Sequence, residues 1–169
     1  MKKSIIIILI LAVRYSFAQE STQPTDAFKI TGKVKNEKTI TLSDLKKYNS
    51  VELIDVNISC SSKNEEKART IKGVLLKNIL DSVSFQYENH GVLNEFYFLF
   101  VASDGYKIVF SFNEIYNTET GNNLYIVTDK EGKDIVDMEN RILVLAASDI
   151  KAGRRNMKWL DRIVVCRAE

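Results

Sequence analysis

The sequence is poor in histidine, cysteine, proline and tryptophan, and these shortages disfavour several classes of function. It contains a single histidine, His90, which reads as part of an exposed turn, and no Gly-x-Ser-x-Gly motif, so a Ser-His-Asp triad has little support. No His and Cys spacing typical of zinc occurs, and no glycine-rich phosphate loop is present. Hydrolase and nucleotide-binding functions are therefore disfavoured.

An excess of one charge and long apolar runs are also missing. The formal net charge is +2. Three basic residues, Lys2, Lys3 and Arg14, lie near the N-terminus, and without them 21 basic residues stand against 22 acidic ones. A nearly neutral chain gives no electrostatic reason to expect nucleic acid or an anionic membrane surface as a partner. No segment approaches the roughly 20 apolar residues of a spanning helix, so no membrane span is expected.

The first residues, MKKSIIIILILAVRYSFA, predict an export signal. Two lysines precede a short apolar run, and Ser16 and Ala18 occupy the small-residue positions before a cleavage site. We expect residues 1–18 to be removed near Ala18, and the protein to be periplasmic or secreted. Residues 19–27 are polar and predict a flexible lead-in, which leaves residues 28–169 as one domain.

Alternating apolar and polar residues predict several strands. Phe28, Ile30 and Val34 alternate in FKITGKV, and VELIDVNISC places Ile54, Val56, Ile58 and Cys60 on one face. Asp-Gly between two apolar runs in EFYFLFVASDGYKIVFSF predicts a hairpin. LYIVTD, ILVLAA and RIVVC predict three further strands.

Three short helical segments and one polar loop complete the prediction. A helix near residues 42–48 would be capped by Ser43, GVLLKNILDSV has a helical apolar stripe, and residues 113–116 predict a helical turn. The decapeptide SSKNEEKART predicts a loop. Together these elements predict a mixed, strand-dominated α+β domain.

Three stretches, in this order, resemble the molybdopterin-binding domain of the sulfite oxidase family. They are Cys60 followed by GVLLKNIL, then VASDGYKIVFSFNEI, and finally NRILVLAASDIKAGRRNMKWLDRIVV. The similarity covers roughly residues 28–167. It implies an α+β fold of the sulfite oxidase molybdopterin-binding type.

The resemblance also implies a cofactor and the residues that hold it. Cys60 matches the cysteine whose thiolate ligates molybdenum, and soft sulfur ligands suit this metal when it also takes two pterin sulfurs. Arg141, Gly153, Arg155 and Lys158 match positions that contact the pyranopterin and its phosphate. Arginine offers forked donors, and glycine lets backbone N–H groups approach an anion.

Three interpretations of Cys60 remain open at the level of sequence. It is a metal ligand, a buried thiol that continues the face of Ile54, Val56 and Ile58, or half of a disulfide with Cys166. The disulfide requires the last strand to pair beside the strand that ends at Cys60.

Departures from the family pattern favour one function over the others. The lead-in is short, the chain has one histidine, and neither tryptophan nor arginine lies within eight residues of Cys60. These absences favour a binding or accessory module without turnover, with no cofactor bound and with a small anionic ligand or a protein as partner. The alternative is a molybdenum-cofactor oxidoreductase that performs oxo transfer and passes electrons to another protein. A third reading is a disulfide-stapled domain that binds a small anion through Arg154 and Arg155.

Overall fold

The computed structural model describes residues 24–58 and 67–169, and strands dominate these ranges. The strands are β1 (Ala27–Gly32), β2 (Lys38–Thr41), β3 (Ser50–Asn57), β4 (Lys67–Leu75), β5 (Phe96–Ala102), β6 (Lys107–Ser111), β7 (Leu124–Lys130), β8 (Lys133–Asp134), β9 (Leu143–Ala146) and β10 (Leu160–Arg167). The helices are α1 (Leu42–Leu45), α2 (Leu76–Leu80), α3 (Phe112–Asn117) and α4 (Glu119–Asn122). Short 3₁₀ segments lie at His90–Glu95, Ile135–Asp137 and Ala152–Arg154. The predicted strand-dominated α+β class is confirmed.

The strands form two sheets. The first sheet has the order β2-β1-β10-β5-β6, and the second has the order β3-β4-β7-β8, with β9 also paired to β7. β10 runs parallel to β1 and antiparallel to β5, while the other neighbours are antiparallel. The last strand therefore lies in the middle of the first sheet, between the first strand and the hairpin.

The main core draws buried side chains from both sheets. β5 contributes Phe96, Phe98 and Phe100 by the two-residue period, and β9 contributes Val144. A smaller cluster contains Leu143 and Leu145, the neighbours of Val144 in the chain, together with Ile58, Ile71, Val127 and Met138. β9 is therefore buried on both faces, which explains why its sequence is a continuous apolar run rather than an alternating one.

The hairpin of β5 and β6 forms as predicted. Val101 pairs with Lys107, and the turn contains Asp104 and Gly105. Gly105 has a φ of 83°, which glycine adopts without steric cost. The predicted helical turn at residues 113–116 is also confirmed, inside α3.

The predicted buried face of β3 is wrong at Ile54. That side chain is 70% exposed, whereas Leu53, Val56 and Ile58 belong to or pack against the smaller core cluster. The intervening Asp55 has a φ of 55°, in the left-handed region, and this local turn of the backbone changes which side chains face the core. Cys60, the last residue of the predicted face, lies outside the described residues.

Two predicted helix starts are also corrected. β4 continues through Gly73 to Leu75, so α2 begins three residues after that glycine, and Lys67–Thr70 of the predicted polar loop already belong to the strand. The first helix is capped by Thr41 and not by Ser43. The Thr41 hydroxyl accepts a hydrogen bond from the Asp44 N–H at 3.1 Å, and the Asp44 carboxylate accepts one from the Thr41 N–H at 3.1 Å.

The described part of the predicted lead-in contacts the domain. The Thr25 N–H donates to the Arg141 carbonyl at 3.1 Å, and the Asp26 carboxylate accepts a hydrogen bond from Arg141 Nε at 2.8 Å. In the part of the chain that the structure describes, no helix has the length and apolar character needed to cross a membrane.

The end of β1 generates a stability prediction. Gly32 and Gly105 both have positive φ, 90° and 83°. A Cβ at Gly32 would lie 2.2 Å from the Val165 carbonyl oxygen in β10, whereas one at Gly105 meets nothing within 4 Å. We expect Gly105→Ala to lower the free energy of unfolding by about 1 kcal/mol and Gly32→Ala by at least about 3 kcal/mol, measured in urea. Equal losses would show that the Val165 carbonyl moves aside without cost.

Candidate functional site

A cleft of about 310 Å³ lies where the turn of the β5–β6 hairpin meets the loop before β10. Its lining residues come from these two segments: Asp104, Tyr106, Gly153, Asn156, Lys158 and Trp159. The Tyr106 hydroxyl donates to the Arg154 carbonyl at 2.7 Å, and the Ser103 N–H donates to the Trp159 carbonyl at 2.9 Å. These two hydrogen bonds join the walls of what we call the Asn156 cleft.

Local backbone geometry places the two walls. Asp104 Oδ1 accepts a hydrogen bond from the Tyr106 N–H at 2.9 Å, which shapes the hairpin turn. On the other wall, Trp159 has a φ of 58°, and its indole N–H donates to the Glu139 carbonyl at 2.8 Å. A left-handed tryptophan is uncommon, and strained backbone of this kind is often found at functional sites.

Asn156 is the buried polar residue of the cleft. It is 3% exposed, and its Oδ1 accepts a hydrogen bond from the Ala146 N–H at 3.0 Å. Its Nδ2 is buried and has no hydrogen-bond partner among the described residues. An unsatisfied buried donor costs about 1–3 kcal/mol, so most such groups in folded proteins have partners. Asn156 thus places a buried donor without a described partner in the wall of the cleft.

The cleft also contains one cation and one anion. Lys158 is exposed and makes no ion pair within the described part of the chain. Asp104 is exposed, and its Oδ2 accepts no hydrogen bond from the residues that the structure describes. The site thus presents a buried N–H donor, an ammonium group, a carboxylate and an indole ring within one small volume.

Two wider clefts offer less specific surroundings. One, of about 570 Å³, shares Lys158 and Trp159 with the Asn156 cleft and carries charges of both signs. The other, of about 590 Å³, lies over the second sheet between Glu52, Lys72 and Asp129. Asn156 does not line either of them, and for this reason the smaller cleft is the better candidate despite its size.

Arg155 is directed into an ion-pair network. Its Nε and one terminal nitrogen donate to the two oxygens of Asp149 at 2.8 and 2.6 Å, and the other terminal nitrogen donates to Glu114 at 2.7 Å. The guanidinium carbon lies 4.5 Å from the centre of the Phe110 ring. The hydrogen bonds to Asp149 raise the pKa of Arg155 above its ordinary value. Burial opposes this shift, and the hydrogen bond to Glu114 adds to it.

Glu114 connects this network to α3. Its carboxylate accepts a hydrogen bond from the Ser111 N–H at 2.8 Å, which completes a capping box with the Ser111 hydroxyl. Burial alone would raise the pKa of Glu114, but the hydrogen bonds from Ser111 and Arg155 outweigh it and lower the pKa. Glu114 is therefore ionised over the physiological range and ties the loop before β10 to the hairpin.

The structure thus separates the residues that the resemblance grouped together. Gly153 and Lys158 line the Asn156 cleft, whereas Arg155 pairs with two carboxylates and Arg141 pairs with Asp26. Cys60, the predicted metal ligand, lies outside the described residues. His90 is exposed beside Tyr87, at a ring distance of 5.2 Å, as its turn position predicts.

Cys166 has a free thiol, whose Sγ lies 3.7 Å from the Val164 carbonyl oxygen. β10 pairs with β1 and β5 in the first sheet, whereas β3 belongs to the second sheet. A disulfide with Cys60 requires β10 to pair beside β3, and the described strands do not pair in this way.

Asn156 is the site residue that the sequence did not reveal. Its burial depends on the pairing of the next residue, Met157, with Val144 in β9, through two backbone hydrogen bonds of 2.8 and 3.0 Å. Nothing local in GRRNMKW distinguishes this asparagine from a solvated loop residue. Asp104 and Tyr106 were visible in the sequence, but only as a turn and the start of a strand.

The described residues do not fit a phosphorylated pyranopterin. In the cleft they supply one cation, Lys158, and one unpartnered donor, Asn156 Nδ2, while the Asp104 carboxylate would repel a phosphate. Both predicted arginine contacts are already committed to carboxylates. Within residues 24–58 and 67–169, no group of three or more His, Cys, Asp or Glu side chains is arranged to hold a metal ion.

The chain matches no protein-family model and no curated protein sequence. Its strand-dominated α+β fold nevertheless has a structural neighbour from the sulfite oxidase family, as the resemblance predicted. This neighbour is the sulfane dehydrogenase SoxCD from Paracoccus pantotrophus, which matches with a TM-score of 0.56 and 11% identity. The match covers 82% of this chain and 37% of that one, so the present chain spans little more than a third of its length. At this identity the likeness shows the fold alone.

The ion-pair network generates a prediction about stability. Removing Arg155 leaves two partly buried carboxylates without their partner, so we expect Arg155→Met to lower the free energy of unfolding at pH 7 by about 2 kcal/mol. The matched control is Arg162→Met, because among the described residues the exposed Arg162 pairs only with the half-exposed Asp161, and its loss should be below about 1 kcal/mol. Urea unfolding measures both, and equal losses would contradict a structural role for the network.

Acid should weaken the same network. Because the folded-state pKa of Glu114 is lowered, its contribution is complete above the ordinary glutamate pKa of about 4.3 and disappears as pH falls through the folded value. The difference in unfolding free energy between the wild type and Glu114→Gln should therefore be constant above pH ~5 and shrink below pH ~4. A difference that does not change with pH would show that Glu114 acts only as a hydrogen-bond acceptor.

Proposed function

We propose that the protein is an exported binding module that holds a small anionic ligand in the Asn156 cleft and performs no turnover of its own. The observation that carries the proposal is that Asn156, whose buried Nδ2 has no partner among the described residues, lines a cleft together with Lys158. The N-terminal lysines, apolar run and small residues support export.

The donor set suits a small oxyanion such as a carboxylate. A hydrogen bond to a charged acceptor stabilises by about 1.5–3 kcal/mol, and the ligand oxygen would also remove the cost of leaving Nδ2 unsatisfied. Lys158 supplies the compensating charge. The volume of about 310 Å³ lies at the lower end of the range for small-molecule sites.

Two observations support a module that works without a molybdenum cofactor. Arg141 and Arg155, which the resemblance assigned to the pterin and its phosphate, are held by Asp26 and by Asp149 with Glu114. A phosphate at Arg155 would compete with three charge-assisted hydrogen bonds of 2.6–2.8 Å, and a phosphate at Arg141 would share the guanidinium with Asp26.

The alternative function is that of a molybdenum-cofactor oxidoreductase with Cys60 as metal ligand. The fold shared with a sulfane dehydrogenase is the observation that favours it. Such an enzyme would perform oxo transfer and would need a separate electron partner.

Two measurements on the protein purified from its native exported fraction decide between these functions. We expect elemental analysis to find no molybdenum, and acetate to raise the thermal unfolding temperature at constant ionic strength relative to chloride. Lys158→Met should weaken acetate binding at least tenfold, because the anion loses its only cation in the described part of the cleft.

The control variant is Lys151→Met, which removes the same charge from an exposed position outside the cleft and should leave acetate binding unchanged. About one molybdenum atom per chain would overturn the proposal in favour of the oxidoreductase. Acetate effects that are equal in the wild type and in Lys158→Met would also overturn it.

A further inference from the structure

We propose that the ligand of the Asn156 cleft is a small zwitterion, with a carboxylate and an ammonium group on a short skeleton, as in an amino acid. This inference rests on the proposed function and refines it: the anionic group held in the cleft is the carboxylate of a ligand that also carries an ammonium group. Its basis is that the cleft carries opposite charges, Lys158 and Asp104, and that neither is ion-paired within the described part of the chain.

The charges argue against a simple anion as the best ligand. A carboxylate bound by Lys158 inside a cleft of about 310 Å³ also approaches the Asp104 carboxylate, which repels it. An ammonium group on the same ligand turns that repulsion into attraction. Specificity of this kind comes from rejecting the wrong ligand as well as from attracting the right one.

The hydrogen-bonding groups divide in the same way as the charges. Asn156 Nδ2 and the Lys158 ammonium group can only donate. The ionised Asp104 carboxylate can accept hydrogen bonds but cannot donate them. The Tyr106 hydroxyl donates its proton to the Arg154 carbonyl, so toward a ligand its oxygen can only accept. A carboxylate satisfies the first pair and an ammonium group satisfies the second.

Trp159 completes the description of the ligand. Its indole N–H donates to the Glu139 carbonyl, so the residue offers the ligand only its ring. The ring favours an apolar or aromatic side chain on the zwitterion, or its ammonium group over the ring face.

The experiment is isothermal titration of the mature protein with glycine, L-alanine, L-leucine and L-phenylalanine. Each is compared with the carboxylate and the amine of the same skeleton, for example 4-methylpentanoate and isopentylamine for L-leucine. We expect at least one amino acid to bind ten times or more tighter than both of its singly charged analogues.

Asp104→Asn supplies the matched variant. Asparagine keeps an Oδ1 acceptor for the Tyr106 N–H, so the hairpin turn is retained. Asp104→Asn should weaken the binding of the best amino acid at least tenfold. The carboxylate analogue should bind equally or more tightly, because Asp104 no longer repels it. A variant that had lost its fold would weaken both.

The outcomes separate this inference from the function on which it rests. If every carboxylate analogue binds as tightly as its amino acid, the site is an anion site and the zwitterion is overturned while the proposed function stands. If neither class binds, both are overturned. Equal losses of amino acid and carboxylate in Asp104→Asn would also overturn the role of Asp104.

Discussion

The candidate site depends on the position of β10 between β1 and β5. Backbone hydrogen bonds hold β10 on both sides, parallel to the first strand and antiparallel to the hairpin. This pairing places the loop before β10 beside the hairpin turn, where the Ser103 N–H meets the Trp159 carbonyl. Gly32 tolerates the approach of the Val165 carbonyl only because it has no side chain. Without this central strand the two walls of the cleft would not meet.

The loop before β10 uses its polar residues in two different ways. Arg155 has a structural role, because its ion pairs join Asp149 in the same loop to Glu114 at the start of α3. The adjacent Asn156 uses one atom of its amide for the Ala146 N–H, and the other atom has no described partner. A charge-assisted network thus orders the loop, and an unsatisfied donor remains beside it. This division explains how neighbouring residues can have unrelated roles.

A shared fold does not by itself imply a shared site. The likeness to sulfane dehydrogenase extends over most of this chain at 11% identity. Chemistry resides in the side chains that a fold positions, and here two of the expected cofactor contacts are paired with carboxylates. Among the described residues, the lining of the Asn156 cleft supplies one unpaired cation, one carboxylate and one buried amide, which is little compensating charge for a phosphorylated cofactor.

The sequence by itself determined the strand-dominated α+β class, the β5–β6 hairpin and a strand in the apolar run ILVLAA, where the structure has β9. These features follow from side-chain periodicity and turn chemistry, which are local properties of the chain. Only the tertiary structure decided that Ile54 is exposed, that Arg155 binds a carboxylate 41 residues away, and that Asn156 is buried. Each of these depends on backbone turns or on strand pairing between distant segments. Periodicity reports which face of a strand is apolar, but not which polar group lies opposite it after folding.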